Sequence, residues 1–186
     1  MPVQLLKRSF TVEEYHRMVQ AGILTEDDRV ELIEGEIVAM TPIGSKHAAC
    51  VNRLTRLLSD QVGRRAILSV QNPLNLGERS EPQPDLALLR VRPDFYASAH
   101  PEPPDVLLVV EVAEISADVD REVKVPLYAR AGIPEVWLVD LAGECVEVSQ
   151  EPMPQGYQLI QRVRRGQRVA PQAIPDVELA VADVLG

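Results

Sequence analysis

Two short, strongly apolar runs, DVLLVVEVA at residues 105–113 and EVWLVD at 135–140, constrain the fold of this chain most. The first run is apolar at both sets of alternating positions, which is typical of a central strand buried on both faces. Residues 118–131 predict an intervening helix that ends at Gly132. Pro126 removes a backbone donor from this helix, so we expect the helix to begin late or to kink. The order strand, helix, strand predicts a βαβ unit with parallel strands and a right-handed crossover.

The N-terminal third of the sequence predicts a helix, a hairpin and a second helix. A capping-box pattern at Thr11 predicts a short helix at residues 12–20. Apolar and acidic residues alternate around a Glu-Gly pair in VELIEGEIVAM, residues 30–40, which indicates a hairpin. Ser45 is a suitable N-cap for an amphipathic helix that extends to about residue 62.

The other segments complete a mixed α/β fold. They are strands at 67–70, 85–91, 146–148 and 157–163, a proline-rich loop at 92–104, and a terminal helical turn at 181–185. We therefore predict an α/β (α+β) domain with a mixed sheet, an N-terminal helix and hairpin, and C-terminal strands. Residues 1–186 are expected to form this single domain, with a core at about 29–141.

The charge balance of the chain opposes non-specific binding to nucleic acid. The 28 acidic residues outnumber the 19 basic ones, and the formal net charge is −9. Lysine occurs only at positions 7, 46 and 124, so arginine supplies the basic patches, at positions 64–65 and at 162, 164, 165 and 168. A polyanionic partner must therefore be bound by local arginines or through metal ions.

Membrane association and cysteine chemistry are not indicated by the sequence. The longest uninterrupted apolar run, residues 106–110, is far shorter than the roughly 20 residues that span a bilayer. The N-terminal residues lack the apolar region of a signal peptide, so we expect a cytoplasmic protein. Cys50 and Cys145 are isolated from each other and from any pair of histidines, which favours buried reduced thiols over a zinc or redox site.

Two carboxylates on neighbouring predicted strands are the main candidates for chemistry. Glu111 lies within the buried strand, where an ionised carboxylate is costly unless a cation or a metal ion compensates it. Asp85 follows Pro84 at the start of a strand, where its alternative role is to accept hydrogen bonds from a local turn. Two carboxylates at one sheet edge together bind a hard divalent cation such as Mg²⁺, as metal-assisted phosphodiester hydrolysis requires.

Lys124 is the third candidate. It lies four residues after Asp120 and four before Tyr128, so the three side chains share one face of the predicted helix. If that face packs on the sheet, the ammonium group reaches the carboxylates and positions a water molecule. The alternative is a solvated lysine on a surface helix.

These motifs together resemble the PD-(D/E)xK nuclease superfamily. They are PD at 84–85, EV at 111–112, DREVK at 120–124 and GIPEVWLVD at 132–140. With RVELIEGEIVAMTP at 29–42 and the following His47, the pattern resembles the Uma family of bacterial endonucleases over roughly residues 9–141. The resemblance implies a restriction-endonuclease-like core with the element order αβββαβ and a Mg²⁺ (or Mn²⁺) site formed by the aspartate and the glutamate of the motif.

The resemblance assigns these roles to particular residues. The aspartate is Asp85, the glutamate is Glu111, and the lysine, displaced onto the helix, is Lys124. In the common arrangement of the superfamily the lysine stands two residues after the glutamate, a position that Ala113 occupies in this chain. Glu114 stands where the family more often has a serine, so it is either a further metal ligand or a departure from the usual site.

A second tier of candidates surrounds these three residues. The family pattern retains Glu31, which is implied to lie beside the metal, and His47, which is either a polar packing residue or a phosphate contact. Asp120 and Tyr128, on the same helix face as the lysine, and Glu114 complete this tier.

Two functions from different classes remain open. One is a Mg²⁺-dependent DNA endonuclease, in which Asp85 and Glu111 hold the ion and Lys124 orients the attacking water. The family resemblance then implies DNA as the partner and a homodimer or higher homo-oligomer. The other is a non-catalytic or degenerate interaction module that keeps the nuclease fold, which the net charge of −9 and Ala113 favour.

Overall fold

A six-stranded mixed sheet forms the centre of the protein, in the computed structural model, which describes residues 8–114 and 117–186. The strands are β1 (Val30–Ile33), β2 (Glu36–Ala39), β3 (Ile67–Val70), β4 (Leu86–Leu89), β5 (Val106–Ala113), β6 (Glu135–Asp140), β7 (Cys145–Met153), β8 (Gly156–Arg164), β9 (Arg168–Val169) and β10 (Leu179–Ala180). The helices are α1 (Val12–Gln20), α2 (Ser45–Val62), α3 (Ala117–Val119), α4 (Val125–Arg130) and α5 (Val181–Leu185), with a π-helical turn at Asp120–Lys124 and 3₁₀ turns at Glu26–Asp28 and Pro103–Asp105. The sheet order is β3-β4-β5-β6-β7-β8, and only β5 and β6 pair in parallel.

The buried strand β5 lies inside the sheet, as its apolar sequence predicts. Alternate side chains of β5 enter two separate apolar clusters. Leu108 and Val110 pack in the cluster that contains α2 and α5, whereas Val109 packs in the cluster that contains α4. The order α2, β3, β4, β5, helix, β6 is the predicted αβββαβ core, and its parallel β5–β6 pair confirms the βαβ unit.

The helical segment between β5 and β6 departs from a regular α-helix. It runs without interruption through α3, the π turn and α4, and we call it the crossover helix. In the π turn the amide of Val125 donates to the carbonyl of Asp120, five residues earlier. Pro126 follows at once, and a proline ring would clash with the carbonyl four residues before it in a regular helix. The wider π turn is therefore how the chain accommodates the proline that predicted a late start or a kink.

The first helix and the hairpin form as predicted. The Thr11 side chain and the Glu14 amide bond at 3.1 Å, and the Glu14 side chain accepts from the Thr11 amide, so the capping box is complete. In the turn between β1 and β2, both Glu34 and Gly35 have positive φ. Gly35 is required there, because a Cβ would lie 2.6 Å from Ser9.

Several boundaries differ from the sequence prediction. Gly44, not Ser45, is the N-cap of α2, and its backbone approaches the Glu114 carboxylate so closely that a Cβ would lie 2.5 Å from Oε2. Asp85 precedes β4 instead of opening it. The strands predicted at 146–148 and 157–163 are longer, because their ladder continues along polar residues that carry no apolar pattern.

The cysteines and the helices bear on the predicted absence of thiol chemistry and membrane spans. Cys50 and Cys145 are buried free thiols, which confirms their assignment. Among the described residues, no helix combines the length and the apolar character needed to cross a membrane.

Candidate functional site

The ends of β4 and β5 bring Asp85 and Glu111 to one place. Leu86 pairs with Val110 in the sheet, so Asp85 lies next to the C-terminal part of β5. The Asp85 Oδ2 accepts a hydrogen bond of 2.9 Å from the Val112 amide, which ties the aspartate to the residue after Glu111. Both side chains are buried, and the charge of Asp85 contributes to a raised pKa of Glu111.

Glu111 is a buried acid whose environment disfavours its charge. The residue is 3% exposed, and its Oε1 accepts a hydrogen bond of 2.6 Å from the Tyr128 hydroxyl. Burial, opposed by Lys124 and reinforced by Asp85 and Asp120, raises the pKa of Glu111 to about 8. The carboxyl group therefore retains its proton near neutral pH unless a further positive charge arrives.

Lys124 reaches back from the crossover helix over the sheet. Its Nζ lies 3.1 Å from the Glu31 Oε1 and 3.4 Å from the Glu111 Oε1. Burial opposes the charge of this lysine, but the carboxylates of Glu111, Glu31 and Asp120 outweigh burial and raise its pKa above the ordinary range. Lys124 is therefore an ammonium group held by ion pairs, with a side chain only 14% exposed, and not the solvated surface lysine of the alternative interpretation.

The crossover helix presents one continuous face to this site. Asp120 and Tyr128, four residues to either side of Lys124, are both buried, as their spacing predicts. Burial first, and then the Glu111 carboxylate, raise the pKa of Tyr128 well above its usual value, so this hydroxyl stays protonated and donates to Glu111.

The hairpin supplies the third buried carboxylate. Glu31 on β1 is 5% exposed, and its Oε2 accepts a hydrogen bond of 2.9 Å from the Gln83 amide. Its other oxygen binds Lys124, so Glu31 joins the hairpin, the segment before β4 and the crossover helix. The sequence pattern indicated Glu31 only through its family resemblance, because nothing local shows that a hairpin glutamate faces a distant lysine.

His47 in the first turn of α2 contacts the aspartate. Its Nε2 lies 3.0 Å from the Asp85 Oδ2. The hydrogen bond with Asp85, partly offset by burial and supported by the charges of Asp120 and Glu114, raises the pKa of His47. Among the described residues, its buried Nδ1 has no hydrogen-bond partner. His47 is thus packed against a candidate metal ligand, and a direct phosphate contact stays a prediction.

Glu114 is the candidate that the structure separates from the others. It lines the same cleft, but its carboxylate lies against Gly44 at the start of α2. Among the described residues, it forms no ion pair or hydrogen bond with Glu111 or Lys124. The position of Glu114 therefore favours a role at the rim of the cleft.

These side chains form the floor and one side of an open cleft of about 320 Å³. The carboxylates that line it are Glu31, Asp85, Glu111, Glu114 and Asp120, and the basic side chains are Arg29, His47 and Lys124. Negative charge is thus in excess even if His47 is protonated. An excess of carboxylate oxygens, most of them buried, suits a hard divalent cation such as Mg²⁺ or Mn²⁺. The residues present therefore fit the metal that the resemblance implies.

Three polar residues of the cleft were not singled out from the sequence. Gln71 donates to the Asp85 Oδ1 at 3.3 Å, Gln83 supplies its amide to Glu31, and Arg29 lines the mouth. The sequence Pro82-Gln83-Pro84-Asp85 before β4 carries no chemical signal of its own, because these contacts arise only when the hairpin packs against this segment. Arg29, which opens the motif RVELIEG, is the one that pattern reading could have identified.

The predicted arginine patches lie outside the cleft, and most of their members are paired. Arg65 binds Asp176 at 2.5 Å, and Arg162 binds Glu147 at 2.9 Å. Arg165 and Arg168 bind Glu144 and Glu178 at 3.3 and 3.2 Å. These contacts favour ordinary surface ion pairs over a ready DNA-binding surface.

The fold has a counterpart among solved structures. A crystal structure from Anabaena variabilis, described as a putative nuclease, superposes with a TM-score of 0.75 over 95% of this chain and 97% of that chain, at 17% sequence identity. That likeness shows the fold. No curated protein matches the sequence.

The family assignment comes from the sequence itself. The model of the Uma2 family, described as "Putative restriction endonuclease", matches residues 12–182, a range that contains every candidate residue of the cleft. The chain therefore belongs to the Uma2 family of restriction-endonuclease-like proteins.

Proposed function

We propose that this protein is a Mg²⁺- or Mn²⁺-dependent DNA endonuclease that hydrolyses phosphodiester bonds. One observation carries the proposal: buried carboxylates outnumber the cations at the floor of an open cleft. Burying an uncompensated negative charge costs on the order of several kcal/mol per ion. The carboxylates of such a site are therefore all ionised only when a cation binds. Membership of the Uma2 family supports phosphodiester chemistry.

Each residue of the floor has a distinct role in this proposal. Asp85 and Glu111 would hold the metal ion through carboxylate oxygens, and Lys124 would orient the attacking water and stabilise the charge that develops on the phosphate. Glu31 holds the ammonium group of Lys124 in place, at 3.1 Å. Tyr128 orients the Glu111 carboxylate, and His47 orients that of Asp85. A bound divalent ion would supply charge neutralisation and a water of lowered pKa.

Lys124 replaces the lysine that the superfamily usually places on the strand. Ala113 occupies that strand position and is fully buried, so no side chain there reaches the cleft. The distance of 3.4 Å from the Lys124 Nζ to Glu111 shows that the helix delivers an ammonium group to the same carboxylate. This contact supports the proposal that Lys124 takes the role of the strand lysine.

The test is divalent-dependent nicking of supercoiled plasmid. Nicking is expected in Mg²⁺ or Mn²⁺, none in EDTA, and a loss of at least about 100-fold in Glu111→Gln and in Lys124→Ala. Glu135→Gln is the matched control, because Glu135 is a fully buried glutamate bound by Trp137 and Gln150 outside the cleft. Equal residual nicking by wild type and both site variants would assign the activity to a contaminant and remove the proposal.

The second candidate is a non-catalytic module that keeps the nuclease fold. The net charge of −9 and the alanine at position 113 favour it. Calorimetric titration with Mg²⁺ and Mn²⁺ separates the two functions, because the module needs no ion. Absence of divalent binding at millimolar metal would leave the module as the better description.

Assembly and domain extent remain proposals of the same kind. We propose that residues 1–186 fold as one domain with its core at about 29–141, and that the active form is a homodimer or higher homo-oligomer, as the family resemblance implies. Light scattering of the purified protein measures the assembly directly.

A further inference from the structure

One face of the β1–β2 hairpin lines the mouth of the cleft with a cation and apolar side chains. Glu31 and Val38 are directly paired across the hairpin. The ladder continues to Arg29 and Met40, where the Met40 amide donates to the Arg29 carbonyl at 2.8 Å. All four residues line the cleft. Arg29 directly precedes β1; it is exposed at the entrance, whereas Glu31 on the strand is buried inside the cleft.

The backbone holds Arg29 in an uncommon conformation at this entrance. Its φ is +43°, in the left-handed region that residues other than glycine rarely occupy. The turn before it is closed by Asp28, whose Oδ2 accepts from the Thr25 amide at 2.6 Å. The side chain of Arg29 is exposed and has no ion pair or hydrogen bond with any residue that the structure describes. Conformational strain at a cleft, together with an uncompensated guanidinium group, is typical of a ligand contact.

The chain beyond β2 gives the same cleft an apolar wall. Residues 38–43, with the sequence VAMTPI, all line it, and Val38 and Ile43 are 40% and 38% exposed. Val119 on the crossover helix, 61% exposed, adds to this apolar lining. Apart from the Thr41 hydroxyl, the side chains of this wall offer contact to an apolar surface of a ligand, such as the face of a base, and no positive charge to a phosphate.

The cations available for phosphates are few. Of the three basic side chains that line the cleft, Lys124 is bound by Glu31 and Glu111, and His47 is bound by Asp85. Arg29 alone among those lining residues is left for a substrate phosphate. A duplex is normally held by several phosphate contacts across its two backbones, roughly six to ten in well-studied cases. The cleft therefore does not offer the pattern of contacts that a duplex requires.

We infer that the cleft binds an unpaired DNA strand, with one phosphate on Arg29 and an adjacent base against residues 38–43. This inference rests on the proposed nuclease function and names its substrate class. An unpaired base exposes its faces to an apolar wall, whereas a base pair in a duplex keeps both faces stacked. The phosphate held by Arg29 then lies at the mouth of the cleft whose floor carries the carboxylates.

The experiment measures binding separately from cleavage. Fluorescence anisotropy follows a short labelled DNA oligonucleotide, either single-stranded or annealed to its complement, in Ca²⁺ in place of Mg²⁺, with gel electrophoresis to verify that it stays intact. The wild type is expected to bind the single strand at least about tenfold more tightly than the duplex. Arg29→Ala should lose about tenfold of that affinity, with partial recovery in Arg29→Lys, because one charge-assisted contact is removed.

A matched control tests whether the loss is specific to the cleft. Arg64 is also exposed and without a side-chain partner among the described residues, but it follows the far end of α2, a helix of 18 residues that is about 27 Å long. Arg64→Ala should leave binding unchanged. The salt dependence should correspond to about one phosphate contact, a slope of about −0.7, and should vanish in Arg29→Ala.

The outcomes separate this inference from the proposed function. Tighter binding of the duplex, equal losses in Arg29→Ala and Arg64→Ala, or no binding of either oligonucleotide would overturn the inference. Preferential single-strand binding without any cleavage in Mg²⁺ would support the inference and count against the nuclease activity.

Val38→Asp, which places a negative charge on the wall without touching the floor, should also weaken single-strand binding about tenfold. Unchanged binding would remove the wall from the subsite.

Discussion

Two acidic groups contact basic residues of the crossover helix, and they differ in how their charge is compensated. The cleft group contains Glu31, Asp85, Glu111 and Asp120, with Lys124 as the cation between them. The second group contains Asp140, Cys145 and Glu147, whose potential ligand atoms lie within 4.8 Å of one another. By proximity alone, the second group is the better metal site.

Arginines neutralise the second group. The Arg121 guanidinium binds Glu147 through two hydrogen bonds of 3.0 Å and approaches Asp140 at 3.5 Å, and Arg162 adds a contact of 2.9 Å to Glu147. Burial, together with the charges of Asp140 and Glu147, raises the pKa of Cys145, so its thiol stays protonated and is a poor ligand. Charge balance, more than the number of nearby carboxylates, therefore distinguishes a cation site from a structural ion-pair network.

Metal binding is the largest effect expected to separate the two groups. Asp85→Asn should weaken Mg²⁺ and Mn²⁺ binding at least about 100-fold in calorimetric titration, because it removes a charged ligand. Glu147→Gln should leave binding unchanged. If Glu147→Gln abolished binding and Asp85→Asn did not, the ion would belong to the second group and the comparison would be reversed.

The free energy of unfolding should respond differently to Mg²⁺ when the basic residue of one group or of the other is removed. Arg121→Met should lower the free energy of unfolding by about 2 kcal/mol, a value reduced from that of fully buried pairs because the guanidinium is nearly one-third exposed. Lys124→Met should also destabilise the protein, but added Mg²⁺ should restore much of the loss only in this variant, since the ion replaces the missing charge. Urea unfolding with and without Mg²⁺ measures both effects. Equal rescue of the two variants would mean that the ion does not distinguish the groups.

The pH dependence of stability should identify the uncompensated group. The pKa of Glu111 is raised from an ordinary value near 4.5 to about 8, with burial as the main cause. Between these values the folded protein keeps a proton that the unfolded chain releases, so stability is fully present at low pH and is lost as pH rises toward 8. In EDTA, titration of Glu111 should therefore lower the free energy of unfolding by about 1 kcal/mol per pH unit within this window.

Glu111→Gln is the control for that decline. The amide cannot titrate, so this variant should lose the Glu111 component of the decline in unfolding free energy with pH. Urea unfolding between about pH 5 and 8 measures that slope. A Glu147→Gln variant should retain it. An identical slope in wild type and Glu111→Gln would show that another group causes the dependence.

The smallest expected effect concerns the thiol of the second group. Cys145→Ser should change the free energy of unfolding by about 1 kcal/mol and leave divalent binding as in the wild type, because the buried thiol contributes packing and not ligation. Urea unfolding and calorimetry measure the two quantities. A loss of metal affinity in this variant would contradict the structural assignment of Cys145.

Much of the fold could be predicted because its signals are local. The apolar run of β5, the capping box at Thr11 and the Glu-Gly turn each depend on neighbouring residues only, and the structure has all three. The π turn before Pro126 could not be predicted in form, since a kink and a widened turn both accommodate a proline. The length of β7 and β8 also escaped prediction, because pairing between strands extends a ladder through polar residues.

The candidate site shows the same division. The spacing of Asp120, Lys124 and Tyr128 predicted a shared helix face, and the motif order predicted that Asp85 and Glu111 would meet. Their roles in catalysis stay predictions.

The sequence by itself determined the strand and helix order, the family, and the residue types that converge at the end of β5, because these follow from periodicity and motif order along the chain. Only the tertiary structure decided which charges are compensated. It placed Lys124 between Glu31 and Glu111, Arg121 on Glu147, and Arg29 at the mouth of the cleft. The physical reason is that burial and distance set the energy of a charge, and both arise from contacts between segments far apart in the chain.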